Sequence, residues 1–369
     1  MYKISTVLRP AIVIATALTA IAALPTYSAH AAGAGSRTIG YVLTNKYWAV
    51  YETPGGRVEC PNGFNDGPRE QFTKLFPNDG KTRTLLQTQL AREADTWFPA
   101  NQEPTTEQGP LPYYYAGGKT AVGLNLDGKV GPNDFTSPQG EPGIDNQLYR
   151  AIGCVSGFRA TGAYYFFLNE YMERDAFNRV LIEISDVDSF VSDPDVTVTI
   201  YRGLDPLLTS ADGKDFLPGS SQRIDERWGR HYIRRLKGKI VDGVLTTEPT
   251  DIVLPYSDTF ECNTDQHFKA ARLRLKLTAT GAEGLLGAYV DVNEWHRNLA
   301  INWATHHASY GQMSVASIAR ALRKLADGYP DPATGRNTAI SSALELKFAQ
   351  AYLLHSSEPP QHPTLATAR

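Results

Sequence analysis

The stretch Ala271-Arg-Leu-Arg-Leu-Lys-Leu-Thr-Ala279 alternates apolar and basic side chains with a period of two residues. Successive side chains of a β-strand point to opposite faces of the sheet. We therefore expect the three leucines to face a core, and the two arginines and the lysine to face water. The alternation predicts a half-buried strand of an antiparallel sheet.

Further strand-like segments lie on both sides of this stretch, with turn residues between them. They are rich in the β-branched and aromatic residues that strands favour. The candidates are 180–184, 196–201, 232–241, 252–256 and 285–292. Their spacing predicts a mainly β protein in which residues 175–293 form an antiparallel β-sandwich or jelly roll.

The flanking parts of the chain contain helical signals. Residues 37–52 are typical of one more strand, whereas 82–93 predict a helix within a loop-rich region. In 314–326 apolar residues recur at intervals of three and four, after a capping serine and before Asp327-Gly328. We expect an N-terminal helical and loop-rich segment and a C-terminal helix, both packed against the sandwich.

The first residues have the pattern of an export signal. Lys3 and Arg9 precede the apolar stretch 12–24, and Ala29 and Ala31 offer the small side chains that a signal peptidase recognises. An uncleaved anchor is the alternative. We expect a signal peptide and an exported protein, either periplasmic or extracellular, with no membrane span in its mature chain.

This organisation predicts a single exported domain, and a net charge of −3 gives no reason to expect a nucleic-acid partner. The expected segments are a signal peptide (1–31), one β-rich domain (32–355) divided into a loop-rich part (32–174), a sandwich core (175–293) and a helical C-terminal part (294–355), and a flexible tail (356–369).

Three cysteines are present, and in an oxidising compartment two of them are expected to pair. Cys60 and Cys154 both lie in turn-like stretches rich in glycine or proline, which favours a disulfide between them. Cys262 remains an alternative partner for either one.

The stretch 125–147 crowds acidic and amide side chains between glycines. Calcium takes six to eight oxygen ligands and favours loops of this composition. The predicted Ca²⁺ ligands are Asn125, Asp127, Asn133, Asp134 and Asp145. The alternative is a set of solvated turns in which these side chains bond to the local backbone. The same alternative applies to the acidic stretches 186–195 and 327–338.

The opening Asn-x-Asp-Gly of this stretch resembles the start of the calcium loops of dockerins and thrombospondin-type repeats. The resemblance covers a handful of residues. Lys129 stands where those loops have another acidic residue, and no glutamate follows at the closing position.

Three longer motifs resemble a group of exported bacterial proteins with no assigned function. They are Gly143-Ile-Asp-Asn-Gln-Leu-Tyr-Arg-Ala-Ile-Gly-Cys154, the segment 195–203, and 327–341, which reads Asp-Gly-Tyr-Pro-Asp-Pro-Ala-Thr-Gly-Arg-Asn-Thr-Ala-Ile-Ser. The resemblance spans most of the predicted mature chain and implies one integral unit. It identifies no catalytic residue.

Signatures of catalysis are missing from the sequence. It contains no Gly-x-Ser-x-Gly, no His-Glu-x-x-His and no Walker loop. A glycosidase would need two facing carboxylates, for which Asp291 and Glu294, or Glu170 and Glu173, are the candidates.

Histidines offer a second set of candidates. His296, His306 and His307 are able in principle to bind a transition metal, but a hydrogen-bonded junction between sandwich and helix is the favoured interpretation.

The combined prediction is an exported binding protein without an enzymatic signature, in which Ca²⁺ assists recognition of a glycan or a protein of the cell envelope. The first alternative is an envelope hydrolase that acts on carbohydrate through a carboxylate pair. The second alternative is a structural envelope protein without a ligand.

Overall fold

A computed structural model describes residues 36–65, 113–162, 169, 173, 176–257, 263–302 and 315–356. Several predictions fall outside these residues: the signal peptide, the helix at 82–93, Cys262, Glu170, His306 and His307, and nearly all of the predicted tail. The chain divides into Met1–Gly35 and Ser36–Arg369, and every described residue belongs to the second unit.

The described residues form thirteen strands and three α-helices. The strands are β1 (Arg37–Trp48), β2 (Phe135–Thr136), β3 (Pro142–Ile144), β4 (Val180–Val187), β5 (Ser192–Arg202), β6 (Ser220–Arg223), β7 (Arg234–Val241), β8 (Val244–Thr247), β9 (Thr250–Tyr256), β10 (Thr264–Leu277), β11 (Gly281–Asp291), β12 (Gly328–Pro330) and β13 (Asn337–Leu354). The helices are α1 (Gln147–Ile152), α2 (Val292–Asn302) and α3 (Val315–Leu325).

Eight strands close into an antiparallel barrel. Their order is β1-β4-β5-β7-β8-β10-β11-β13, and β13 pairs again with β1. Strands β6, β9 and β12 lie outside this ring, while β2 and β3 form a separate hairpin. The mainly β, antiparallel prediction is confirmed. The sandwich or jelly roll is not found, because the pairing of β13 with β1 closes the sheet on itself.

The predicted strands and the C-terminal helix match the structure well, but β13 and the short strands β2, β3, β6, β8 and β12 were not predicted. The segment 294–355 was predicted to be helical, yet it ends in β13, the longest strand. Alternating Leu344, Leu346 and Phe348 face the interior, while Glu345 and Lys347 are exposed. This period of two residues is partly hidden by the alanines and serines around it, which are buried on both faces of the strand without a strong apolar signal.

The barrel interior is a continuous apolar core. Eight-stranded barrels are just wide enough for side chains to fill. Among the side chains with at most 1% of their surface exposed are Tyr41, Leu43, Ile182, Ile184, Val196, Val198, Leu236, Ile240, Leu245, Leu275, Ala288 and Ile340. Side chains of all three helices join this core near the point where β11 ends and β13 begins.

The alternation in β10 has the predicted consequence for the buried face and for Lys276, which is exposed, but not fully for the two arginines. Leu273, Leu275 and Leu277 are buried in the barrel, as predicted. On the opposite face, Arg272 Nη1 donates a hydrogen bond to the carbonyl oxygen of Asn125 at 3.0 Å, and Arg274 pairs with Glu141. Both arginines are therefore half-buried against the loop 125–141.

The disulfide between Cys60 and Cys154 is confirmed. It connects the segment after β1 to the residues after α1. A buried ion pair lies beside it, in which Arg159 Nη2 is 2.8 Å from Glu59 Oε1. Arg159 Nη1 also donates to the carbonyl oxygen of Gly153 at 3.0 Å. The two links hold this peripheral segment against α1. In the described part of the chain, no helix is long and apolar enough to cross a membrane.

Candidate functional site

The beginning of the predicted calcium loop is a tight turn. Asn125 Oδ1 accepts a hydrogen bond from the backbone N–H of Gly128 at 2.7 Å, and Asn125 Nδ2 donates to the carbonyl oxygen of Lys129 at 2.7 Å. Asp127 Oδ1 accepts from the N–H of Lys129 at 2.8 Å. These bonds are typical of asparagine and aspartate in turns. The side chains therefore stabilise the local backbone.

Asp145 connects the two ends of this loop. It is only 6% exposed, and its Oδ2 accepts hydrogen bonds from the N–H groups of Leu126 and Asp127, at 2.6 and 3.3 Å. Gly143 adopts a positive φ of 76°, and a side chain there would collide with the carbonyl oxygen of Lys129. The close approach of the two segments thus depends on a glycine in this position.

A fourth carboxylate approaches from a distant part of the sequence. Asp327, between α3 and β12, accepts hydrogen bonds from the N–H and the hydroxyl of Ser341, at 2.7 and 2.6 Å. The same hydroxyl accepts a bond from the N–H of Gln147 at 2.9 Å. Ser341 thereby joins Asp327 to the segment that contains Asp145. We call Asp127, Asp134, Asp145 and Asp327 the acidic cluster.

The electrostatics show that these carboxylates lie close together. Burial, with smaller contributions from the charges of Asp134 and Asp127, raises the pKa of Asp145 to about 6, although two backbone hydrogen bonds act in the opposite direction. Burial also raises the pKa of Asp327, with a contribution from Asp134. Among the described residues, no lysine, arginine or histidine forms an ion pair with Asp145 or Asp327. Their negative charge is therefore poorly compensated.

The donor atoms of the cluster suit a hard cation, although they do not form a finished site. Asp127, Asp134 and Asp145 each have one carboxylate oxygen that accepts no hydrogen bond from the described residues. The carbonyl oxygen of Asn133 accepts from Gln147 Nε2 at 2.8 Å. No group of three or more His, Cys, Asp or Glu side chains in the described ranges is arranged to hold a metal ion. The calcium site stays a prediction.

The carboxylates suggested for a hydrolase have local roles. Asp291 Oδ1 accepts hydrogen bonds from the N–H groups of Asn293 and Glu294, at 3.0 and 3.1 Å, and so caps α2. Glu294 Oε1 accepts from the N–H of His267 and contacts its Nδ1, both at 2.9 Å. Glu173 is exposed.

His296 is buried in α2 with 6% of its surface exposed. Burial, with a smaller effect from Arg323, lowers its pKa to about 4, so the ring is neutral near pH 7. Its Nε2 has no hydrogen-bond partner among the described residues.

A groove on the outside of the barrel was not predicted from the sequence. Its volume is about 520 Å³, and it lies between the outer face of β1, β11 and β13 and the segment 214–216. It is lined by Thr44, Asn45, Lys214, Asp215, Phe216, Thr278, Thr280, Gly281, Ala282, Glu283, Lys347, Phe348 and Ala349. These residues come from distant segments, so no local motif signals the groove.

Comparisons with protein-family models, with curated proteins and with solved structures found no match. The resemblance of 143–154, 195–203 and 327–341 to exported bacterial proteins stays a prediction. The acidic cluster and the groove are therefore the two candidate sites.

Proposed function

We propose that this chain is an exported binding protein that recognises a glycan or a protein of the cell envelope, and that Ca²⁺ bound at the acidic cluster assists this recognition. The observation that supports the proposal is Asp145. It is a buried carboxylate with a pKa of about 6, beside two further aspartates and without an ion-pair partner among the described residues. A divalent cation would neutralise this charge.

Export is supported by two independent features. The leader at 1–31 has the charge and apolar pattern of a signal peptide. The disulfide between Cys60 and Cys154 fits an oxidising compartment, where such bonds form and persist.

The ion would be held by the free carboxylate oxygens of Asp127, Asp134 and Asp145, with Asn125 and Asn133 as further oxygen donors. Calcium prefers such ligands and tolerates irregular geometry. Since the loop and Asp327 come from different parts of the chain, a bound cation would fix the loop relative to the barrel. A ligand that binds only the folded state also stabilises that state by mass action.

The test is thermal unfolding of the purified protein in excess chelator and in millimolar CaCl₂. We expect Ca²⁺ to raise the Tm of the wild type by several degrees, and Asp145→Asn to abolish the shift. Asp195→Asn is the matched control, because Asp195 is an exposed carboxylate that pairs with Lys237 elsewhere on the surface. Equal Tm values for the wild type in chelator and in Ca²⁺ would refute the calcium part of the proposal.

The alternatives have less support. Asp291 and Glu294 cap a helix and bind a histidine, so neither is free to act as half of a catalytic pair in this arrangement. A purely structural protein would not need two buried carboxylates with raised pKa values, Asp145 and Asp327, because such groups cost stability.

A further inference from the structure

We propose that the groove between β1, β11, β13 and the segment 214–216 is a saccharide-binding site. Its volume of about 520 Å³ lies within the range of about 300–1,000 Å³ that is usual for ligand pockets. The inference gives the proposed binding function a ligand class. It does not depend on calcium, since the groove and the acidic cluster are different places on the barrel.

The strand register builds one side of the groove. Glu283 of β11 lies directly opposite Lys347 of β13, and Lys347 lies directly opposite Asn45 of β1. Directly paired residues of adjacent strands share a face of the sheet. Glu283 and Lys347 are exposed and Asn45 is half-buried, so this row faces outward. The row presents a carboxylate, an ammonium group and an amide side by side.

Small residues leave room beside this row. Gly281 pairs with Ala349, two residues along the same face. A Cβ atom at Gly281 would lie 2.4 Å from the carbonyl oxygen of Phe348, so a side chain cannot be added there without displacing the strand. The floor of the groove is therefore restricted to the hydrogen of Gly281 and the methyl group of Ala349.

A small hairpin builds the opposite wall. Thr209 bridges Phe216, and the N–H of Ser210 donates to the carbonyl oxygen of Asp215 at 2.8 Å. The hydroxyl of Ser210 also accepts a hydrogen bond from the N–H of Asp215 at 3.0 Å. Phe216 is half-buried against the apolar cluster that contains Ala349. The hairpin thus fixes an aromatic ring and a carboxylate along the groove.

The lining selects a neutral, hydroxyl-rich ligand. The charges of Lys214 and Lys347 balance those of Asp215 and Glu283, so the groove has no excess charge for a phosphate or a polycation. It also lacks the predominantly apolar lining that a lipid would need. The amide, carboxylates and threonine hydroxyls can bond to sugar hydroxyls, while Phe216 offers an apolar surface to the C–H face of a pyranose ring.

The distance between the two sites allows them to be tested separately. Ser341, which binds Asp327 of the acidic cluster, and Phe348, which lines the groove, are both on β13. A strand rises about 3.3 Å per residue, so they are roughly 23 Å apart along it.

The experiment is isothermal titration of the purified protein with maltotriose, cellotriose, mannotriose and chitotriose, each in chelator and in millimolar CaCl₂. We expect at least one trisaccharide to bind under both conditions. Asn45→Ala should weaken that binding roughly three- to tenfold through the loss of a hydrogen bond. Phe216→Ala should weaken it at least as much, and Phe216→Tyr should retain it because the ring is preserved.

Trp228→Ala is the control, because Trp228 is an exposed aromatic residue that does not line the groove. Failure of all four trisaccharides to bind, or binding that Asn45→Ala and Phe216→Ala leave unchanged, would overturn the inference. Trisaccharide binding in chelator, together with a Tm that is the same with and without Ca²⁺, would support the groove as a saccharide site and reject the calcium proposal. A Tm shift on addition of Ca²⁺, without trisaccharide binding, would support the calcium proposal and reject the groove as a saccharide site.

Discussion

Substitution of Asp145 by Asn should make the protein more stable at neutral pH in the absence of calcium. Asn keeps an oxygen that accepts the two backbone hydrogen bonds, but it removes a charge that is buried beside Asp127 and Asp134. Because the folded-state pKa is raised, the folded protein retains the Asp145 proton in a pH range where the unfolded chain has lost it. Stability therefore falls as the pH rises between about 4 and about 6.

The expected gain in unfolding free energy follows from the size of the pKa shift of Asp145. A change from 3.8 to about 6 is roughly two pH units, and each unit corresponds to about 1.4 kcal/mol. This gives an upper limit near 3 kcal/mol. Since water approaches the loop from one side, screening should reduce the effect to about 1–2 kcal/mol. Well below the unfolded-state pKa of 3.8, Asp145 is protonated in both states, so the effect of the charge disappears there.

The assay is urea unfolding of the wild type and Asp145→Asn in chelator at a series of pH values. The quantity of interest is the difference between the two unfolding free energies. His296, with its pKa lowered to about 4, makes stability rise with pH over a similar range, whereas Asp327 acts in the same direction as Asp145. Both contributions are common to the two proteins and largely cancel. A difference that stays constant from pH 4 to pH 7 would refute the reasoning.

Three further predictions concern the scaffold, and chemical denaturation tests each of them. Leu275→Ala should cost about 2–5 kcal/mol, because Leu275 is fully buried in the barrel and its loss leaves a cavity; a cost below ~1 kcal/mol would contradict the filled interior. Cys154→Ser should cost about 2–5 kcal/mol by opening the 94-residue link to Cys60, and the wild type in reductant should behave alike. Asp225→Asn should cost about 3–5 kcal/mol, since it removes the negative charge that pairs with the buried guanidinium of Arg202; an unchanged midpoint would show that this ion pair is not needed.

Seven of the strands could be predicted from the sequence, but β13 and the closure of the sheet could not. The alternation at 271–277 identifies both the strand and its buried face. Closure depends on the pairing of β1 with β13, in which Thr44 bonds to the carbonyl oxygen of Lys347 from a position 303 residues away along the chain. A sandwich and a barrel share the same period of two residues, so the local pattern does not distinguish them.

The candidate sites show the same pattern: contacts within one segment could be predicted from the sequence, and contacts between distant segments could not. The composition of 125–145 indicates a cluster of oxygen donors, and in the structure the charges of Asp127 and Asp134 act on Asp145, although the described residues form no finished metal site. The sequence gives no reason to join Asp327 to them, because that contact depends on the pairing of β12 with β13. The groove has no sequence signal at all, since Asn45, Glu283 and Lys347 become neighbours only through the strand register.

Strand β10 connects the barrel core to the acidic loop, because one of its faces packs in the core and the other contacts the loop. The buried leucines fill the barrel, while on the outer face Arg272 holds the carbonyl oxygen of Asn125, and Arg274 holds Glu141 and the carbonyl oxygen of Gly123. The loop with the predicted ligands is thus attached by charged hydrogen bonds to a strand that the core keeps rigid. On an open surface these two arginines would contribute only to solubility, whereas here they position the acidic loop. Neither arginine forms an ion pair with Asp145. The support for this loop is thus rigid, as the proposed cation site would require.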